Sequence, residues 1–346
     1  MRARLDRVAR LGRRLVVAAL YALLFLVALA SALLWIPAAA LVDLARRRGA
    51  VALRSGAFVT FYLGLELLGL CAAAALWLAR PLARWDAARW RALHFRLQDW
   101  WGSTLFRGLV RCFSLRVETR GAREARLGEG PYLLLLRHAS SGDTLLASAL
   151  IGRPHGLRLR YVLKHELRWD PCLDVVGSRL RHVFVDRASD DSQREIARVR
   201  ALARGLGPRD GVLIYPEGTR FSETKRARVL ERIARSGDAK LLDYARSLCS
   251  VLPPRPGGVL GLLEEAPGAD VVVCMHTGFE GAASLGQIWR GDMLRSRVRV
   301  RFTRILRAEI PTEREARAQW LRELWQQVDA WVALNRAECE AAAGRS

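Results

Sequence analysis

The stretch "LLLLRHASSGDT", residues 133–144, passes directly from an apolar run into a polar turn. Four consecutive leucines are typical of a strand that is covered on both faces, as the strands of parallel sheets are. The run ends in Arg137 and His138, and Asp143 follows five residues after the histidine. Two interpretations are open at this point. Asp143 or Ser141 caps a helix that begins here, or His138 and Asp143 form a catalytic pair.

The spacing between His138 and Asp143 is too long for two side chains on one helical face, which needs three or four residues. A turn at Ser140, Ser141 and Gly142 removes this difficulty. Asp143 can then accept a hydrogen bond from one ring nitrogen of His138 and leave the other free to take a proton. The two serines are predicted to form the turn. We do not expect them to act as nucleophiles, since no Gly-x-Ser-x-Gly sequence surrounds them.

Short apolar or alternating segments recur along the rest of the chain, and longer helical stretches separate them. The predicted strands lie at 114–120, 132–136, 157–163, 182–186, 211–215, 270–276 and 297–306. The predicted helices lie at 144–151, 189–205, 226–248 and 313–338. This alternation predicts an α/β domain over 86–340 whose sheet is covered on both faces. In such sheets, ligands bind at the carboxyl ends of the strands.

Two more polar clusters follow predicted strands. The segment "YPEGTRFSETKR", residues 215–226, contains Glu217, Gly218, Thr219 and Arg220. Glycine allows close backbone approach, and the arginine offers a two-pronged donor for phosphate. Glutamate repels phosphate, so we expect it to accept from a substrate hydroxyl or to hold an arginine. Arg187 follows the strand at 182–186. Taken singly, each cluster also fits an ordinary turn or a surface ion pair.

The first 85 residues contain two long apolar segments. We predict helices at about 15–42 and 55–79, which form an N-terminal membrane hairpin within residues 1–85, with a kink at Pro37. Glu66 interrupts the second segment, and a charge at mid-bilayer costs about 3 kcal/mol on insertion scales. Two full membrane spans and a hairpin within one leaflet both remain open, and Glu66 favours the second. A buried helix pair in a soluble protein is the remaining alternative.

The charge balance points to a partner rich in phosphate. The chain has 346 residues, 51% of them hydrophobic, and a formal net charge of +22 that is almost entirely arginine. Nucleic acid and an anionic lipid surface are both compatible with this charge; the arginine bias also fits genome composition. The six cysteines form no C-x-x-C pair, which indicates a reducing compartment and no zinc site. The Trp-rich segment 85–107 fits a helix at the lipid head-group level or a packed core helix.

The three polar clusters occur in a characteristic order after apolar N-terminal helices. They read His-x4-Asp at 138–143, Phe-x-x-Arg at 184–187 and Glu-Gly-Thr-Arg at 217–220. In this order the chain resembles the glycerolipid acyltransferase family, whose best-known members are the 1-acylglycerol-3-phosphate acyltransferases. A fourth block, "LPPRPGG" at 252–258, resembles the proline segment of the lysophosphatidate and lysocardiolipin acyltransferase branch. That branch usually has threonine and phenylalanine where this chain has Pro256 and Val259.

The resemblance implies the glycerol-phosphate acyltransferase fold, an α/β fold whose mixed, largely parallel sheet is covered by helices. It also implies transfer of a fatty acyl group from a thioester to a lysophospholipid hydroxyl, without a metal. His138 would be the general base, and Asp143 would orient it. The substrate phosphate would be bound by residues of two clusters: Arg187, Glu217, Gly218, Thr219 and Arg220. Supporting roles would fall to Gly142, near which backbone N–H groups could stabilise the oxyanion, and to Lys164, Pro254 and Arg255.

The expected partners are a membrane lysophospholipid, an anionic membrane surface and either acyl-CoA or acyl-carrier protein as co-substrate. No other cofactor and no nucleic acid are expected. We expect the protein in a bacterial inner membrane, with the α/β domain facing the cytoplasm. One alternative is acylation of another lysolipid, such as a lyso-ornithine lipid or lysocardiolipin. The other is a non-catalytic, membrane-anchored basic protein that binds lipid or nucleic acid. The ordered polar clusters favour an enzyme, since binding needs no His–Asp pair.

Overall fold

The computed structural model describes residues 2–47, 49–185, 192–282 and 285–343, which form a helical N-terminal part and an α/β domain. The helices are α1 Arg2–Ala30, α2 Ala32–Arg46, α3 Val51–Leu82, α4 Ala87–Phe113, α5 Arg153–His155, α6 Pro171–Gly177, α7 Ser192–Arg200, α8 Glu223–Ser236, α9 Ala239–Ser247, α10 Pro256–Glu265, α11 Leu285–Arg290 and α12 Arg314–Ala343. The strands are β1 Arg116–Arg120, β2 Tyr132–Leu136, β3 Arg158–Lys164, β4 Val183–Val185, β5 Asp210–Ile214, β6 Asp270–Thr277 and β7 Arg297–Ile305.

The described residues form one seven-stranded sheet, in the order β1-β7-β6-β2-β5-β3-β4. The strands from β6 to β4 pair in parallel. β7 is antiparallel to β6 and parallel to β1. The sheet is therefore mixed and largely parallel, and every predicted strand is present in it. The fold class expected from the sequence is confirmed.

The leucine run of β2 is apolar throughout because helices cover both faces of the sheet. Leu134 and Leu136 belong to a core that α4 closes on one face. Leu133 and Leu135 point into the opposite core, where residues of α10 and α12 pack. All four leucine side chains are buried. β2 thus lies near the centre of the sheet, and the polar loop after it begins at the carboxyl edge.

Several helices differ from the sequence prediction. The stretch 144–151 begins as a 3₁₀ turn at Gly142–Leu145 and ends as a π turn at Ser148–Gly152. The stretch 226–248 is two helices, because Gly237 takes a left-handed φ of 76° and ends α8. The apolar run 15–42 breaks at Ser31, whereas Pro37 lies inside α2. The kink expected at Pro37 stays a prediction.

α4, which contains the Trp-rich segment, is a core helix. Trp101, Phe106 and Phe113 are each buried, and Phe106 lies edge-on to Phe279 in the loop after β6. Asp86 caps the helix by accepting a hydrogen bond from the N–H of Arg89 at 2.7 Å. Of the two interpretations of this segment, the packed helix is therefore the one that the structure supports.

α3 packs along the α/β domain over most of its length. Near its start, Arg54 donates to the Cys112 carbonyl at 2.6 Å, and Gly291 packs against Val51. In its middle, Glu66 is buried and accepts the N–H of Cys172 at 2.9 Å. Glu66 therefore faces protein and not lipid, which explains how a carboxylate is tolerated in this apolar segment.

By length and apolar composition, Val8–Ala30 and α3 are each sufficient to cross a membrane. The two helices differ in their surroundings. α3 has neighbours in the domain, whereas α1 and α2 expose large apolar side chains such as Leu15, Leu23 and Leu33. The exposed apolar surface of the N-terminal part therefore lies mainly on α1 and α2, on the side that does not face the α/β domain.

Candidate active site

Two of the polar clusters meet at the carboxyl edge of the sheet. β2 and β5 are neighbours, so the loops that follow them begin side by side. The N–H of Phe221 donates to the His138 carbonyl at 2.8 Å. The guanidinium of Arg220 donates to the Ser141 hydroxyl at 2.7 Å. The loop of residues 137–144 and the loop of residues 215–221 therefore form one surface.

His138 and Asp143 form the hydrogen-bonded pair that the sequence suggested. The Nδ1 atom of His138 lies 3.1 Å from Oδ1 of Asp143. Oδ2 of Asp143 accepts the N–H groups of Ala139 at 2.6 Å and Ser140 at 2.7 Å. Asp143 therefore stabilises the turn through two backbone N–H groups and also orients the histidine. The capping interpretation and the catalytic-pair interpretation both apply. The Nε2 atom of His138 has no hydrogen-bond partner among the described residues, which leaves it available to take a proton.

The electrostatics of Asp143 keep its carboxylate ionised. Its side chain is fully buried, and burial alone would raise its pKa. The charge and the hydrogen bond of His138, followed by His276 and the N–H of Ser140, instead hold the pKa of Asp143 below its usual value. An ionised aspartate at Nδ1 fixes the imidazole tautomer and stabilises the imidazolium that forms when Nε2 takes a proton.

Aromatic rings form the inner wall of the site. The ring of Tyr215 lies 4.2 Å from the ring of His138, centroid to centroid, at an interplanar angle of 33°. Phe279 packs against Gly142, where a Cβ atom would approach its ring to 3.1 Å. The side chain of His138 is only 14% exposed. The imidazole is therefore restricted in orientation and largely shielded from water.

Glu217 has a different position from the one expected. Its side chain is buried, and its two oxygens accept the N–H groups of His138 and Leu252, each at 3.0 Å. Burial raises the pKa of Glu217 to about 7, although Arg137 and the two N–H groups oppose this effect. The expectation that Glu217 contacts the substrate phosphate is corrected, because its oxygens join three loops of the protein to one another.

Arg220 is surrounded by polar groups at the surface of the same loop. Lys225 donates to the Thr219 hydroxyl at 3.1 Å and to the Arg220 carbonyl at 3.0 Å. Gly218 has a left-handed φ of 71°, and the Arg255 side chain lies directly over it. Burial, followed by the charge of Arg232, lowers the pKa of Arg255. Lys225 of α8 and Arg255 thus accompany Arg220 of this loop, and a phosphate site requires such a group of positive charges.

The other predicted residues are distributed as follows. Arg187 lies outside the described residues, so its role stays a prediction. Lys164 is at the carboxyl end of β3 and forms an exposed ion pair with Glu166 at 2.7 Å. Pro254 is buried in the short segment that precedes α10. The N–H of Gly142 donates to the Ser140 hydroxyl at 3.0 Å. This N–H is thus engaged within the turn, and the oxyanion contact expected from backbone N–H groups near Gly142 stays a prediction.

Two residues beneath the site were not predicted. Arg137 is fully buried and donates to the His276 carbonyl at 2.7 Å, to Glu280 at 2.8 Å and to the Ser250 carbonyl at 3.0 Å. Nε2 of His276 donates to the Arg137 carbonyl at 2.9 Å and lies 3.6 Å from Oδ2 of Asp143. These side chains join the ends of β2 and β6 directly behind the catalytic pair.

Comparison with known proteins agrees with this geometry. The Acyltransferase family profile matches residues 115–254, which run from the start of β1 to Pro254 and include both loops of the site. This region of the chain is therefore similar to acyltransferases. The resemblance to glycerolipid acyltransferases that the sequence indicated is thereby confirmed at the level of the family. The pair His138–Asp143 and the loop of Arg220 both lie within the acyltransferase region.

Two acyltransferases illustrate the similarity. The mouse 1-acyl-sn-glycerol-3-phosphate acyltransferase epsilon is 24% identical over 203 residues, which cover 55% of this chain and 54% of the mouse protein. The chain thus spans about half the length of that curated relative. The crystal structure of the 1-acyl-sn-glycerophosphate (LPA) acyltransferase PlsC from Thermotoga maritima has 13% sequence identity and a TM-score of 0.46, with coverage of 77% of this chain and 97% of that chain.

Proposed function

We propose that this acyltransferase moves a fatty acyl group from acyl-CoA or acyl-carrier protein to the free hydroxyl of 1-acylglycerol-3-phosphate or a related lysophospholipid. The observation that carries the proposal is the His138–Asp143 pair at the carboxyl edge of the sheet. Nδ1 of His138 lies 3.1 Å from Oδ1 of Asp143, and Nε2 has no hydrogen-bond partner among the described residues. An alcohol that attacks a thioester needs a general base, which typically accelerates such reactions by about 10²–10⁴-fold.

In the proposed reaction, Nε2 of His138 takes the proton of the acceptor hydroxyl as its oxygen attacks the thioester carbonyl carbon. The carbon–sulfur bond then breaks. The departing thiolate receives the proton from the imidazolium, which leaves His138 neutral for the next cycle. Asp143 remains ionised throughout and balances the positive charge on the imidazolium. No covalent acyl-enzyme is required, because the acceptor itself is the nucleophile.

We propose that Arg220 binds the phosphate of the acceptor. Its guanidinium is anchored to Ser141 in the loop that carries His138, so the phosphate and the hydroxyl would be held on one surface. Lys225 of α8 and Arg255, which precedes α10, add positive charge beside the loop of Arg220. Arg187 is proposed as a second phosphate ligand on the basis of the sequence. Glu217 has a positioning role, since it holds the backbone of His138.

The test is a transfer assay with the full chain in detergent, with acyl-CoA as donor and a panel of lysolipids as acceptors. His138→Ala should lower transfer by about 10²–10⁴-fold, because the base is lost. His155→Ala is the matched control, since this exposed histidine lies in α5, and it should retain wild-type activity. Full activity in His138→Ala would reject the base. If the wild type acylated no lysolipid, the non-catalytic binding function would be favoured instead.

We also propose that the N-terminal hairpin lies in one leaflet, on the cytoplasmic side of a bacterial inner membrane. The turn between α2 and α3 contacts the α/β domain, with Gly49 against Leu294. At the other end, Arg13 and Arg14 of α1 both bind Asp174 in α6 at 2.8 Å. Both ends of the hairpin thus touch the same domain. The described cysteines are free thiols, which fits a reducing compartment.

A further inference from the structure

A cleft of about 1110 Å³ opens at the amino edge of the sheet, between α3, α4 and the start of β3. Its apolar wall consists of Phe95, Leu97 and Trp100 of α4, together with Leu68 and Ala72 of α3. This volume is sufficient for a ligand of many atoms, since small-molecule sites usually occupy about 300–1,000 Å³. The cleft lies between the α/β domain and α3, so its apolar wall is continuous with a helix of the apolar hairpin.

The opposite wall of the cleft is strongly basic. Arg153, Arg158 and Arg209 line it, and Arg96 of α4 adds a fourth arginine to the cleft. Arg158 forms an ion pair with Asp210 at 2.8 Å. The side chains of the other three have no hydrogen-bond or ion-pair partner among the described residues. An acid, Asp99, also lines the cleft, but its carboxylate packs against Gly152 and is buried. Burial raises the pKa of Asp99 to about 7, whereas the Ser148 hydroxyl and the charge of Arg153 lower it, so Asp99 offsets part of the charge of Arg153. With four arginines and one acid in its lining, the cleft still carries excess positive charge.

The cleft is separate from the site of His138. Arg158 begins β3, and Arg209 directly precedes β5, so both lie at the amino edge of the sheet. His138 follows the carboxyl end of β2, which is parallel to β5. Strands of five to seven residues separate the two edges by roughly 15–20 Å, at about 3.3 Å per residue. A phosphate bound by Arg153 and Arg209 is therefore not in reach of the catalytic pair.

We propose that this cleft binds an anionic phospholipid, with its phosphate at Arg96, Arg153 and Arg209 and an acyl chain along Leu68 and Ala72. Arginine is well suited to phosphate, because its planar fork makes two parallel hydrogen bonds. Leu68 is 55% exposed, so an acyl chain would cover apolar surface that the protein leaves open. A soluble phosphate would satisfy the arginines equally well but would leave this wall exposed. The combination of the two walls is what favours a lipid.

The experiment is native mass spectrometry of the full chain in detergent micelles, with dioleoylphosphatidylglycerol, dioleoylphosphatidylcholine or inorganic phosphate added. We expect one phosphatidylglycerol molecule to remain bound to the wild type, and phosphatidylcholine to bind much more weakly. Arg153→Ala with Arg209→Ala should weaken phosphatidylglycerol binding by at least about tenfold, which corresponds to 1.4 kcal/mol. Acyl transfer by this double variant should stay within about twofold of the wild type, because both arginines are remote from His138.

Two further changes test where the lipid binds: a control pair of arginines outside the cleft, and a substitution in its apolar wall. Arg116→Ala with Arg123→Ala removes the same charge at exposed positions outside the cleft and should leave lipid binding unchanged. Leu68→Asn should weaken lipid binding and leave phosphate binding unchanged. Equal losses in the two arginine pairs would reject the cleft as the binding site. Displacement of the lipid by inorganic phosphate, with no effect of Leu68→Asn, would identify a soluble anion site and overturn the proposal.

Discussion

At the scale of the residue, Asp143 lies between two imidazoles with different tasks. His138 faces the substrate side, whereas His276 is fully buried on the other side of the carboxylate. Burial lowers the pKa of His276, so this histidine is neutral. Despite its own burial, Glu280 has a pKa of about 2, because the charge and hydrogen bond of Arg137 stabilise its carboxylate. Arg137, His276 and Glu280 therefore form a rigid support behind the catalytic pair.

We predict that His276→Phe lowers kcat by about tenfold or more, because the Arg137 carbonyl loses its donor and the Asp143 carboxylate loses a favourable neighbour. The pKa of Asp143 should rise, because its carboxylate loses the polar ring beside it, and the acidic side of the pH–rate profile should change in shape. His276→Asn, which keeps a donor, should recover part of the loss. If His276→Phe lowered only the thermal stability and left the pH–rate profile unchanged, His276 would be structural and would have no influence on Asp143.

A second prediction concerns Glu217, whose folded-state pKa of about 7 is raised from 4.5 by burial. The folded state holds this proton more tightly than the unfolded state, so the resulting stability is fully present below pH 4.5 and is lost as the pH rises to about 7. The free energy of unfolding should therefore fall across this window, by on the order of 3 kcal/mol at most. Glu217→Gln cannot titrate and should lack this part of the pH dependence.

Thermal unfolding in detergent between pH 4.5 and 8 measures this difference between wild type and Glu217→Gln. Glu309→Gln is the control, because this surface glutamate is exposed and its replacement should leave the wild-type dependence in place. Parallel curves for wild type and Glu217→Gln would show that Glu217 titrates in the folded protein as it does in the unfolded chain.

Some of these residues could be predicted from the sequence and others could not. His138 and Asp143 stand in one short loop, so their spacing and the turn between them are visible in the sequence. Arg137 and His276 are 139 positions apart and meet only because β2 and β6 are neighbours in the sheet. At the end of an apolar strand, His276 has no local signal that distinguishes it from an ordinary core residue.

At the scale of the element, close backbone approach joins α4 to the turn that follows Asp143. A Cβ atom on Gly102 of α4 would lie 2.7 Å from the Ser148 Cβ. Conversely, a Cβ atom on Gly152 would lie 2.2 Å from Asp99 of α4. Each element thus supplies a glycine where the other supplies a side chain. This contact fixes the position of the turn on which Asp143 depends.

We predict that Gly102→Ala destabilises the protein by about 1–3 kcal/mol, because the added methyl group overlaps Ser148 in a packed interface. The activity should fall as well, since the turn after Asp143 has to shift. Gly12→Ala is the matched control within a helix: no atom lies within 4 Å of its Cβ position, and alanine should stabilise α1 by about 0.5–1 kcal/mol. Equal effects of the two changes on the thermal midpoint would contradict this account of the α4 contact.

Strands and helices that are specified by the hydrophobic pattern of their own residues were predicted well. The strands are short apolar runs between charged residues, and the structure has all of them. The region after Asp143 was predicted as one helix because its composition is helical. It is instead divided into 3₁₀ and π turns, and Ser148 and Gly152 in the second turn are both in close contact with α4. That contact comes from a distant part of the chain, so no local pattern could have indicated it.

At the scale of the whole molecule, the contacts of the hairpin favour the arrangement within one leaflet that we propose over two full spans. In a hairpin that fully crosses a bilayer, the turn lies on the far side, about 30 Å of hydrocarbon away from the domain. Here the turn is against the domain: Gly49 contacts Leu294, and Arg54 binds the Cys112 carbonyl. Asp43 also accepts the N–H groups of Ala52 and Leu53 and so caps α3 at this end. Arg54, near the turn, therefore serves a protein contact.

We predict that Arg46→Cys is labelled by a membrane-impermeant maleimide from the same side of the membrane as Cys249, an exposed thiol of the α/β domain. Intact cells and inverted membrane vesicles give the two directions of access, and mass spectrometry of the labelled peptides identifies the site. Both thiols should react in inverted vesicles and neither in intact cells. Reaction of Arg46→Cys in intact cells alone would show two full spans. In that arrangement the contacts of Gly49 and Arg54 with the domain could not exist, so a single residue distinguishes the two topologies.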